Sequence, residues 1–488
     1  MAGATSGAAC YISFPPVDAG LLAFVALVPV ALYFRSSRAG PVIAAATAFG
    51  LTFFGLLLNW IRLFGMAAYV ALVIVQTLWV AVAFLGGLAL RNRLPERWKV
   101  LAFPVTFLVG EFARSNLPWG GFSWGGLGYT QHDNLPMLRL AAYTGVWGIT
   151  FIVALVNSML AEAILGLKRL RLAAAWVVGA AVVMVLPALL PVTTPAGKRI
   201  RIAMVQGNVP ENTVDPNADD LMVLENHVGL TRNLETSGLS LVVWAEGTLE
   251  RDPVKDPDFG AAVSETIRHT GTPLLAGATF DSTRPGPPGV KNMSLMYQAD
   301  GSQSGLYIKQ RLVPFGEWVP LRGILEPLVP EIRRVPVDLV RGRRSTVFRV
   351  PEGRFASVIC YESTYPDLVR SFVTRGARML VVSTNNSSYG RTPQSEQHLA
   401  FSQLRAAEQR MWVAHTAISG NSAVITPEGR IIQSTDLFTQ EVLTPTIRFA
   451  TRVTPYARLG DWVPLASLTV MVVALLATGV RFLRRTLS

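Results

Sequence analysis

The sequence predicts a membrane protein that carries a large α/β domain between its transmembrane segments. Half of its 488 residues are hydrophobic and only 16% are charged, which is too apolar for an ordinary soluble protein of this length. Uncharged stretches long enough to cross a bilayer lie before residue 194 and after residue 460. The segment between them alternates short apolar runs with helical stretches, which indicates an α/β sheet buried on both faces.

About eight transmembrane helices are predicted, seven before the α/β domain and one after it. Five uncharged stretches are close to 20 residues or longer: 42–60, 63–90, 140–161, 172–192 and 463–480. Three weaker candidates are 1–17, 19–34 and 98–117. The last contains Glu111 and Arg114 one helical turn apart, so inside a membrane we expect them to pair with each other.

The basic residues predict the orientation of these helices. Every second connection is basic, with Arg35 and Arg38, then Arg91, Arg93, Arg97 and Lys99, then Lys168, Arg169 and Arg171, and finally Arg481, Arg484 and Arg485. Such connections face the cytoplasm. Both termini of this multi-pass protein are therefore expected on the cytoplasmic side of the cell membrane. The central segment is expected on the other side, in the extracytoplasmic or periplasmic space. The net charge of +12 follows from this arrangement and does not indicate nucleic-acid binding.

Three domains follow from these patterns. They are an N-terminal transmembrane domain at 1–194, an extracytoplasmic α/β domain at 195–460, and a C-terminal helix with a basic cytoplasmic tail at 461–488. In the α/β domain, apolar runs of strand length begin near 200, 239, 273, 292, 355, 379 and 422. Helical stretches are predicted at 218–236, 257–270, 363–375 and 394–410.

Two of the predicted strands, and the segment that follows a third, lead to chemically reactive residues. They are Glu246 in "VVWAEG", Lys309 in "YIKQRLVPFGEWVP" and Cys360 in "FASVICYE". Because α/β proteins build their sites at strand ends, we expect these side chains to share one cleft. There a carboxylate and an ammonium would ionise the thiol, and the ammonium would also stabilise the oxyanion that forms when a thiolate attacks a carbonyl.

Each of these residues has a plainer interpretation when it is taken alone. A cysteine in an apolar strand is by default a core residue, a glutamate after a strand can be a loop charge or helix cap, and a lysine is usually at the surface. Cys10 and Cys360 show no disulfide framework. No metal site or cofactor is predicted, since the five histidines lack ligand spacing: His132, His227, His269, His398 and His415.

The motifs resemble a known family. "AMVQGNVP", "VVWAEG", "YIKQRLVPFGEWVP" and "VICYES", in this order, resemble the glutamate-lysine-cysteine signature of the nitrilase superfamily. Together with the flanking spans, "LPWGGFSWGGLGYTQHDNLPMLRLAAYTGVWGITFIVALVN" and "TPYARLGDW" resemble the apolipoprotein N-acyltransferases, its membrane members. The resemblance implies a four-layer α-β-β-α nitrilase-like domain inserted in a bundle of about eight transmembrane helices, with the active site facing the membrane.

The resemblance also implies roles for individual residues. Cys360 would be the nucleophile, Glu246 the general base and Lys309 the cation that stabilises the oxyanion. Supporting residues would be Glu317, Tyr361 and Glu362. Candidates for substrate binding are Phe315 and Trp318, which could instead lie at the membrane interface or in the core, together with Ser388 and Tyr389.

The implied reaction is a ping-pong acyl transfer. Cys360 would take the sn-1 acyl chain of a phospholipid as a thioester and pass it to the α-amino group of the diacylglyceryl-cysteine that begins an apolipoprotein. The expected partners are these two lipid substrates and the bilayer, and the expected oligomeric state is a monomer. The family's pattern is incomplete: Ser388 in "STNNSSYG" replaces a bulky aromatic, and no tryptophan follows "QGN".

Two other function classes stay open at this point. A membrane-tethered nitrilase-type amidase would use the same triad but resolve the thioester with water, and it would tolerate loss of the spans. A transporter or receptor would need polar or charged residues along a path through several spans. Apart from Glu111 and Arg114, the predicted spans show almost none.

Overall fold

The chain forms two compact units in a computed structural model that describes residues 1–209, 211, 216–282, 288–327 and 329–486. The first unit comprises Met1–Val192 and Leu459–Ser488, and the second comprises Thr193–Arg458. The second unit is thus inserted in the sequence of the first. The side chains of the predicted basic tail, Arg481, Arg484 and Arg485, lie outside the described part of the structure.

The first unit is helical. Its helices are α1 (Ala2–Ile12), α2 (Ala23–Ala26), α3 (Val28–Ser36), α4 (Ala39–Leu57), α5 (Met66–Arg93), α6 (Ala102–Asn116), α7 (Leu135–Leu165), α8 (Leu170–Val185) and the C-terminal helix Trp462–Thr486. Among the described residues, four helical segments are long and apolar enough to cross a membrane: Ala39–Leu57, Met66–Arg93, Leu135–Leu165 and Leu170–Leu189. Gly20–Arg35 and Trp462–Leu476 are shorter apolar helices.

The structure therefore contains several apolar helices that could span a membrane, but among the described residues four of the eight predicted spans, 1–17, 19–34, 98–117 and 463–480, do not reach that length. At 1–17 and 98–117, α1 and α6 have 11 and 15 residues, fewer than the roughly 20 that a crossing takes. Prolines follow both helices, at Pro15 and at Pro118, and the residue before a proline is disfavoured in a helix. In α7, Gly145 has a φ of 66° that interrupts the helix.

Glu111 and Arg114 form the predicted pair inside this unit. Arg114 Nη2 lies 3.7 Å from Glu111 Oε1. Arg114 Nη1 also donates to the carbonyls of Phe122 and Trp124 at 3.0 and 2.8 Å, and Glu111 Oε1 accepts from the backbone N–H of Leu127 at 2.8 Å. The pair thus holds the loop after α6 against the helices.

The second unit contains two β-sheets. Its strands are β1 (Arg199–Gln206), β2 (Leu239–Leu249), β3 (Leu274–Asp281), β4 (Val290–Tyr297), β5 (Gln303–Ile308), β6 (Val347–Val350), β7 (Gly353–Ile359), β8 (Leu380–Thr384), β9 (Val413–Ala417), β10 (Ala423–Ile425), β11 (Ile431–Ser434), β12 (Glu441–Leu443) and β13 (Thr446–Arg448). The first sheet has the order β12-β1-β2-β3-β4-β5, with β13 also on β1, and the second has the order β11-β10-β9-β8-β7-β6. Strands β1 to β3 and β7 to β9 are parallel, and their apolar sequences suit burial on both faces.

Helices cover the outer face of each sheet, and they are α9 (Pro216–Arg232), α10 (Pro257–Thr270), α12 (Pro366–Thr374) and α13 (Gln394–Gln409). Two further helices, α11 (Arg322–Leu325) and α14 (Pro455–Leu459), have only four and five residues. Leu224 of α9 and Val263 of α10 pack with Trp244 of the first sheet, while α12 and α13 pack on the second. The sheets face each other, as the 2.9 Å contact between Ser294 Oγ and Ser357 Oγ shows. The four-layer α-β-β-α prediction is confirmed.

Candidate active site

The carboxylate of Glu246 is held by three separate segments of the second unit. Glu246 lies near the end of β2 and is 7% exposed. Its Oε1 accepts hydrogen bonds from Lys309 Nζ at 3.2 Å and from Asn292 Nδ2 at 2.6 Å. Its Oε2 accepts from the backbone N–H of Asn385 at 2.8 Å. Both oxygens are therefore oriented before any substrate arrives.

Lys309 follows β5 and joins two carboxylates. Its Nζ lies 2.5 Å from Glu317 Oε1 as well as 3.2 Å from Glu246 Oε1. Glu317 is held in turn by the backbone N–H of Val313, which donates to its Oε2 at 2.9 Å. Burial acts to lower the pKa of Lys309, but the charges of Glu246 and Glu317 outweigh it and raise that pKa well above its usual value. The lysine is a permanent cation.

Cys360 is the first residue after β7 and begins a short 3₁₀ turn, Cys360–Thr364. Its φ of 50° lies in the left-handed region, which costs a non-glycine residue about 1–2 kcal/mol. Strain of this kind is typical of residues in active-site turns. The hydroxyl of Thr384, at the end of β8, forms a hydrogen bond with the thiol.

The Cys360 thiol is protonated at neutral pH. Burial, and after it the negative charge of Glu246, raise its pKa to about 12 against the opposing charge of Lys309. The expectation that its neighbours ionise the thiol in the resting site is therefore wrong, because one ammonium does not offset lost hydration together with nearby carboxylates. A base must take the proton during attack.

Glu362 connects the 3₁₀ turn Cys360–Thr364, called the nucleophile turn below, to the segment that carries Lys309. This fully buried carboxylate accepts three hydrogen bonds at Oε1, from Tyr307 Oη at 2.7 Å and from the backbone N–H groups of Gln310 and Arg311 at 2.6 and 3.0 Å. Its Oε2 accepts from Ile359 N at 2.9 Å. Four donors from two segments thus converge on one side chain and set the distance between those segments.

The other predicted residues lie at different depths around this cluster. The Tyr361 ring packs edge-on against Tyr365, with centroids 5.3 Å apart. Tyr389 is close enough that the charge on Cys360 adds to burial in raising the pKa of its phenol. The remaining candidates for substrate binding are more peripheral: Phe315 is 47% exposed, Ser388 is exposed and Trp318 is half-buried.

Comparisons with known proteins match both units. Residues 6–159 match the family model described as apolipoprotein N-acyltransferase N-terminal domain, and residues 201–455 match the one described as carbon-nitrogen hydrolase. The apolipoprotein N-acyltransferase of Azotobacter vinelandii is 30% identical over 495 residues, which cover 96% of this chain and 92% of that protein. The chain belongs to the apolipoprotein N-acyltransferase family.

Other relatives agree with this assignment. The apolipoprotein N-acyltransferase of Mycolicibacterium smegmatis is 30% identical, covering 99% of this chain and 86% of that protein, and that of Geobacter metallireducens is 28% identical, covering 93% and 90%. Among solved structures, Saccharomyces cerevisiae Nit3, of the nitrilase superfamily, covers 51% of this chain and 90% of its own at 17% identity and a TM-score of 0.39. The predicted family is confirmed by the sequence relatives, and with the carbon-nitrogen hydrolase match over residues 201–455 the chain is an acyltransferase of the nitrilase superfamily.

Several residues that contact the site in this acyltransferase were missed by the sequence analysis. Asn292 and Asn385 hold Glu246, Tyr307 holds Glu362, and His398 contacts the backbone of Cys360 at 3.1 Å. Asn292 did carry a signal, because a buried amide inside an apolar strand needs a specific partner. The segment after "QGN", where a tryptophan is missing, lies largely outside the described residues.

A separate group in the first unit also escaped the sequence analysis. Potential metal-ligand atoms of Asp18, His132 and Asp133 lie within 4.8 Å of one another. His132 Nε2 is 2.8 Å from Asp18 Oδ1 and its Nδ1 is 3.5 Å from Asp133 Oδ1. Spacing along the chain could not reveal this group, since Asp18 and His132 are 114 residues apart.

Proposed function

We propose that the chain transfers an acyl chain from a phospholipid, through a thioester on Cys360, to the α-amino group of the diacylglyceryl-cysteine that begins an apolipoprotein. The observation that carries this proposal is the shared ion cluster. Glu246 contacts Lys309 at 3.2 Å, and both charges act on the pKa of the Cys360 thiol. Membership of the apolipoprotein N-acyltransferase family supports both substrates.

In the first half-reaction, Glu246 takes the thiol proton as Cys360 Sγ attacks the sn-1 ester carbonyl of the phospholipid. Negative charge develops on the carbonyl oxygen, and the Lys309 ammonium stabilises it. The carbon–oxygen bond then breaks, and the departing alkoxide takes the proton from Glu246. The products are lysophospholipid and an acyl thioester on Cys360.

In the second half-reaction, the neutral α-amino group of the apolipoprotein attacks the thioester carbonyl. Glu246 takes the proton that the nitrogen loses, and Lys309 again stabilises the oxyanion. The carbon–sulfur bond breaks and the sulfur recovers a proton from Glu246. The high pKa of the thiol in this site favours that last protonation and leaves the enzyme ready for another donor.

Supporting residues hold this arrangement in place. Glu317 keeps the Lys309 ammonium charged and oriented, and Glu362 keeps the nucleophile turn at a constant distance from Lys309. Tyr361, next to the nucleophile, contributes its backbone. Substrate contacts are assigned to an outer group of residues: Phe315, Trp318, Ser388 and Tyr389.

The membrane is part of the proposed mechanism, since both substrates are lipid-anchored. We assign about eight spans, with domains at 1–194, 195–460 and 461–488, both termini in the cytoplasm and the catalytic domain outside the cell membrane. The basic connections support this orientation. In this arrangement a monomer suffices, because phospholipid and apolipoprotein both reach the site by lateral diffusion.

Trapping the thioester tests the proposal. Full-length protein is incubated with phospholipid labelled in its sn-1 acyl chain, and the label is expected on Cys360 in a form that hydroxylamine releases. Cys360→Ala should carry no label. Cys10→Ala provides the matched control, because Cys10 is the other cysteine and lies in the first unit, and it should label normally.

Addition of a diacylated lipopeptide shows whether the acyl chain is transferred to the proposed acceptor or to water. Transfer of the label to the peptide α-amine is the expected result. Release of labelled fatty acid without transfer would instead favour the nitrilase-type amidase. Absence of label in wild type, or its persistence in Cys360→Ala, would remove the thioester mechanism.

A further inference from the structure

A buried histidine contacts the nucleophile turn from behind. His398 lies on α13 and is 1% exposed. Its Nε2 lies 3.1 Å from the carbonyl oxygen of Cys360 and 2.8 Å from Ser363 Oγ. Because a carbonyl oxygen can only accept a hydrogen bond, Nε2 must carry the proton.

His398 is a neutral donor. Burial lowers its pKa to about 4, while the charge of Glu246 raises it and that of Lys309 lowers it. It therefore keeps the same protonation state throughout the pH range of most enzymes. A second histidine, His415 of β9, packs edge-on against it with ring centroids 5.0 Å apart, and the hydrogen bond of His415 Nδ1 runs to Ser402 on α13 at 2.8 Å.

The hydrogen bond to Cys360 O determines where the next N–H group points. The peptide between Cys360 and Tyr361 is trans, so its C=O and N–H point to opposite sides. The carbonyl faces α13, which covers the outer face of the second sheet. The Tyr361 N–H consequently points away from His398 and α13.

We propose that His398 is a positioning residue that holds the Cys360–Tyr361 peptide so that the Tyr361 N–H and the Lys309 ammonium together stabilise the oxyanion. This inference rests on the proposed function, because an oxyanion forms only if Cys360 attacks a carbonyl. It also gives a reason for the left-handed backbone at Cys360, a conformation that needs support from its surroundings.

Two different reactions of Cys360 Sγ distinguish a positioning role of His398 from a purely structural one. Acylation by phospholipid builds an oxyanion, whereas alkylation by iodoacetamide is a displacement at carbon that builds none. His398→Met removes the donor at similar volume, and His398→Gln keeps an N–H group near the position of Nε2. His415→Met, which perturbs the same buried pair, is the matched control. All variants are full-length protein, and their thermal stabilities are measured alongside.

We expect single-turnover acylation at saturating phospholipid to be about 10- to 100-fold slower in His398→Met, since a displaced oxyanion donor loses much of its effect. Alkylation of Cys360 should stay within about twofold of wild type. His398→Gln should recover acylation to within about threefold of wild type, and His415→Met should acylate at nearly the wild-type rate.

Three results would overturn the proposal. His398→Met could acylate normally, His398→Gln could be as slow as His398→Met, or acylation and alkylation could fall together in His398→Met and His415→Met alike. If wild type forms no thioester at all, the proposed function fails instead of this inference.

Ser363→Ala tests the same idea if His398→Met does not fold. The Ser363 hydroxyl and the Cys360 carbonyl share the N–H group of His398 Nε2. Without the hydroxyl, this N–H group donates to the carbonyl alone. Acylation should be unchanged or faster. A tenfold loss in this variant would mean that the serine, and not the carbonyl, is the partner that matters.

Discussion

The phenol of Tyr307 donates a hydrogen bond to Glu362 across 2.7 Å, and this contact joins the nucleophile turn to the strand that leads to Lys309. Glu362 is fully buried and has a donor at each oxygen. The position of the thiol relative to the ammonium is therefore set by a carboxylate that does not touch substrate.

Replacing Glu362 by glutamine should be severe. A glutamine can place only one oxygen among these donors, so its amide N–H₂ would face either Ile359 N–H or the group around Gln310. We expect a loss of about 1–3 kcal/mol in the free energy of unfolding and a clear fall in thioester formation. Tyr307→Phe removes one donor only and should cost about 1 kcal/mol. Equal effects of the two variants, measured by denaturation and acylation, would contradict this account.

Glu246→Gln and Lys309→Met should both slow acyl transfer but change thiol reactivity in opposite directions. Glu246 raises the pKa of Cys360 and Lys309 lowers it. At pH 7, alkylation by iodoacetamide should therefore be faster than wild type in Glu246→Gln and slower in Lys309→Met. Acylation should fall by about 10²–10⁴-fold when the base is lost and by about 10²–10³-fold when the cation is lost.

Lys309→Met also leaves Glu246 and Glu317 without their cation, so a companion variant is needed. Combining Lys309→Met with Glu317→Gln removes one of the two carboxylates that have lost their cation. The double variant should recover part of the stability without recovering acylation. Alkylation rates that move in the same direction in Glu246→Gln and Lys309→Met would show that the two charges do not oppose each other at the thiol.

Glu250 should make stability depend on pH. Burial, and then Asp220 and Glu246, raise its pKa to about 8 from an ordinary value of 4.5. Between these values the folded state holds a proton that the unfolded state releases, so stability falls as pH rises through this window. Glu250→Gln should exceed wild type by on the order of 1–3 kcal/mol above pH 8 and match it near pH 4.5.

Chemical denaturation at several pH values measures this difference. Glu235→Gln is the matched control in the same unit, because the Glu235 side chain is 77% exposed and its removal should leave the pH profile unchanged. A difference between Glu250→Gln and wild type that grows towards low pH would have the wrong sign and would refute the prediction.

Ser388→Trp should alter the use of donor phospholipid without harming the fold. Ser388 is exposed, so a larger side chain there should change the free energy of unfolding by no more than about 0.5 kcal/mol. The KM for phospholipids of different acyl-chain lengths should change relative to wild type, and Ser388→Ala should leave it unchanged. An identical donor profile in Ser388→Trp would exclude this position from the substrate pocket.

Single-cysteine labelling, in a protein whose Cys10 and Cys360 are replaced by alanine, tests the proposed orientation. Ser302 and Asn92 are both exposed, the first in the loop before β5 and the second near the end of α5. In intact spheroplasts a membrane-impermeant maleimide should label Ser302→Cys, whereas Asn92→Cys should react only after permeabilisation. The reverse pattern would place the second unit in the cytoplasm.

Consecutive residues carried enough information to predict an α/β domain and apolar helices, while the family resemblance of the motifs implied the four layers and the roles of Glu246, Lys309 and Cys360. Alternation between strand-length apolar runs and helical stretches is a local property, and so is the type of residue that ends a strand. The lengths of α1 and α6 were harder to predict from the sequence, because prolines and 3₁₀ turns shorten helices inside stretches that are uniformly apolar.

Long-range packing decided the chemistry around those side chains. Glu246 and Asn385 are 139 residues apart in the chain, and His398 lies 38 residues from the carbonyl that it contacts. The protonated state of Cys360 depends on burial and on charges that come from other strands. No local pattern reports these quantities, because the cost of burying a charge and the distance to its partner exist only once the two sheets have packed together.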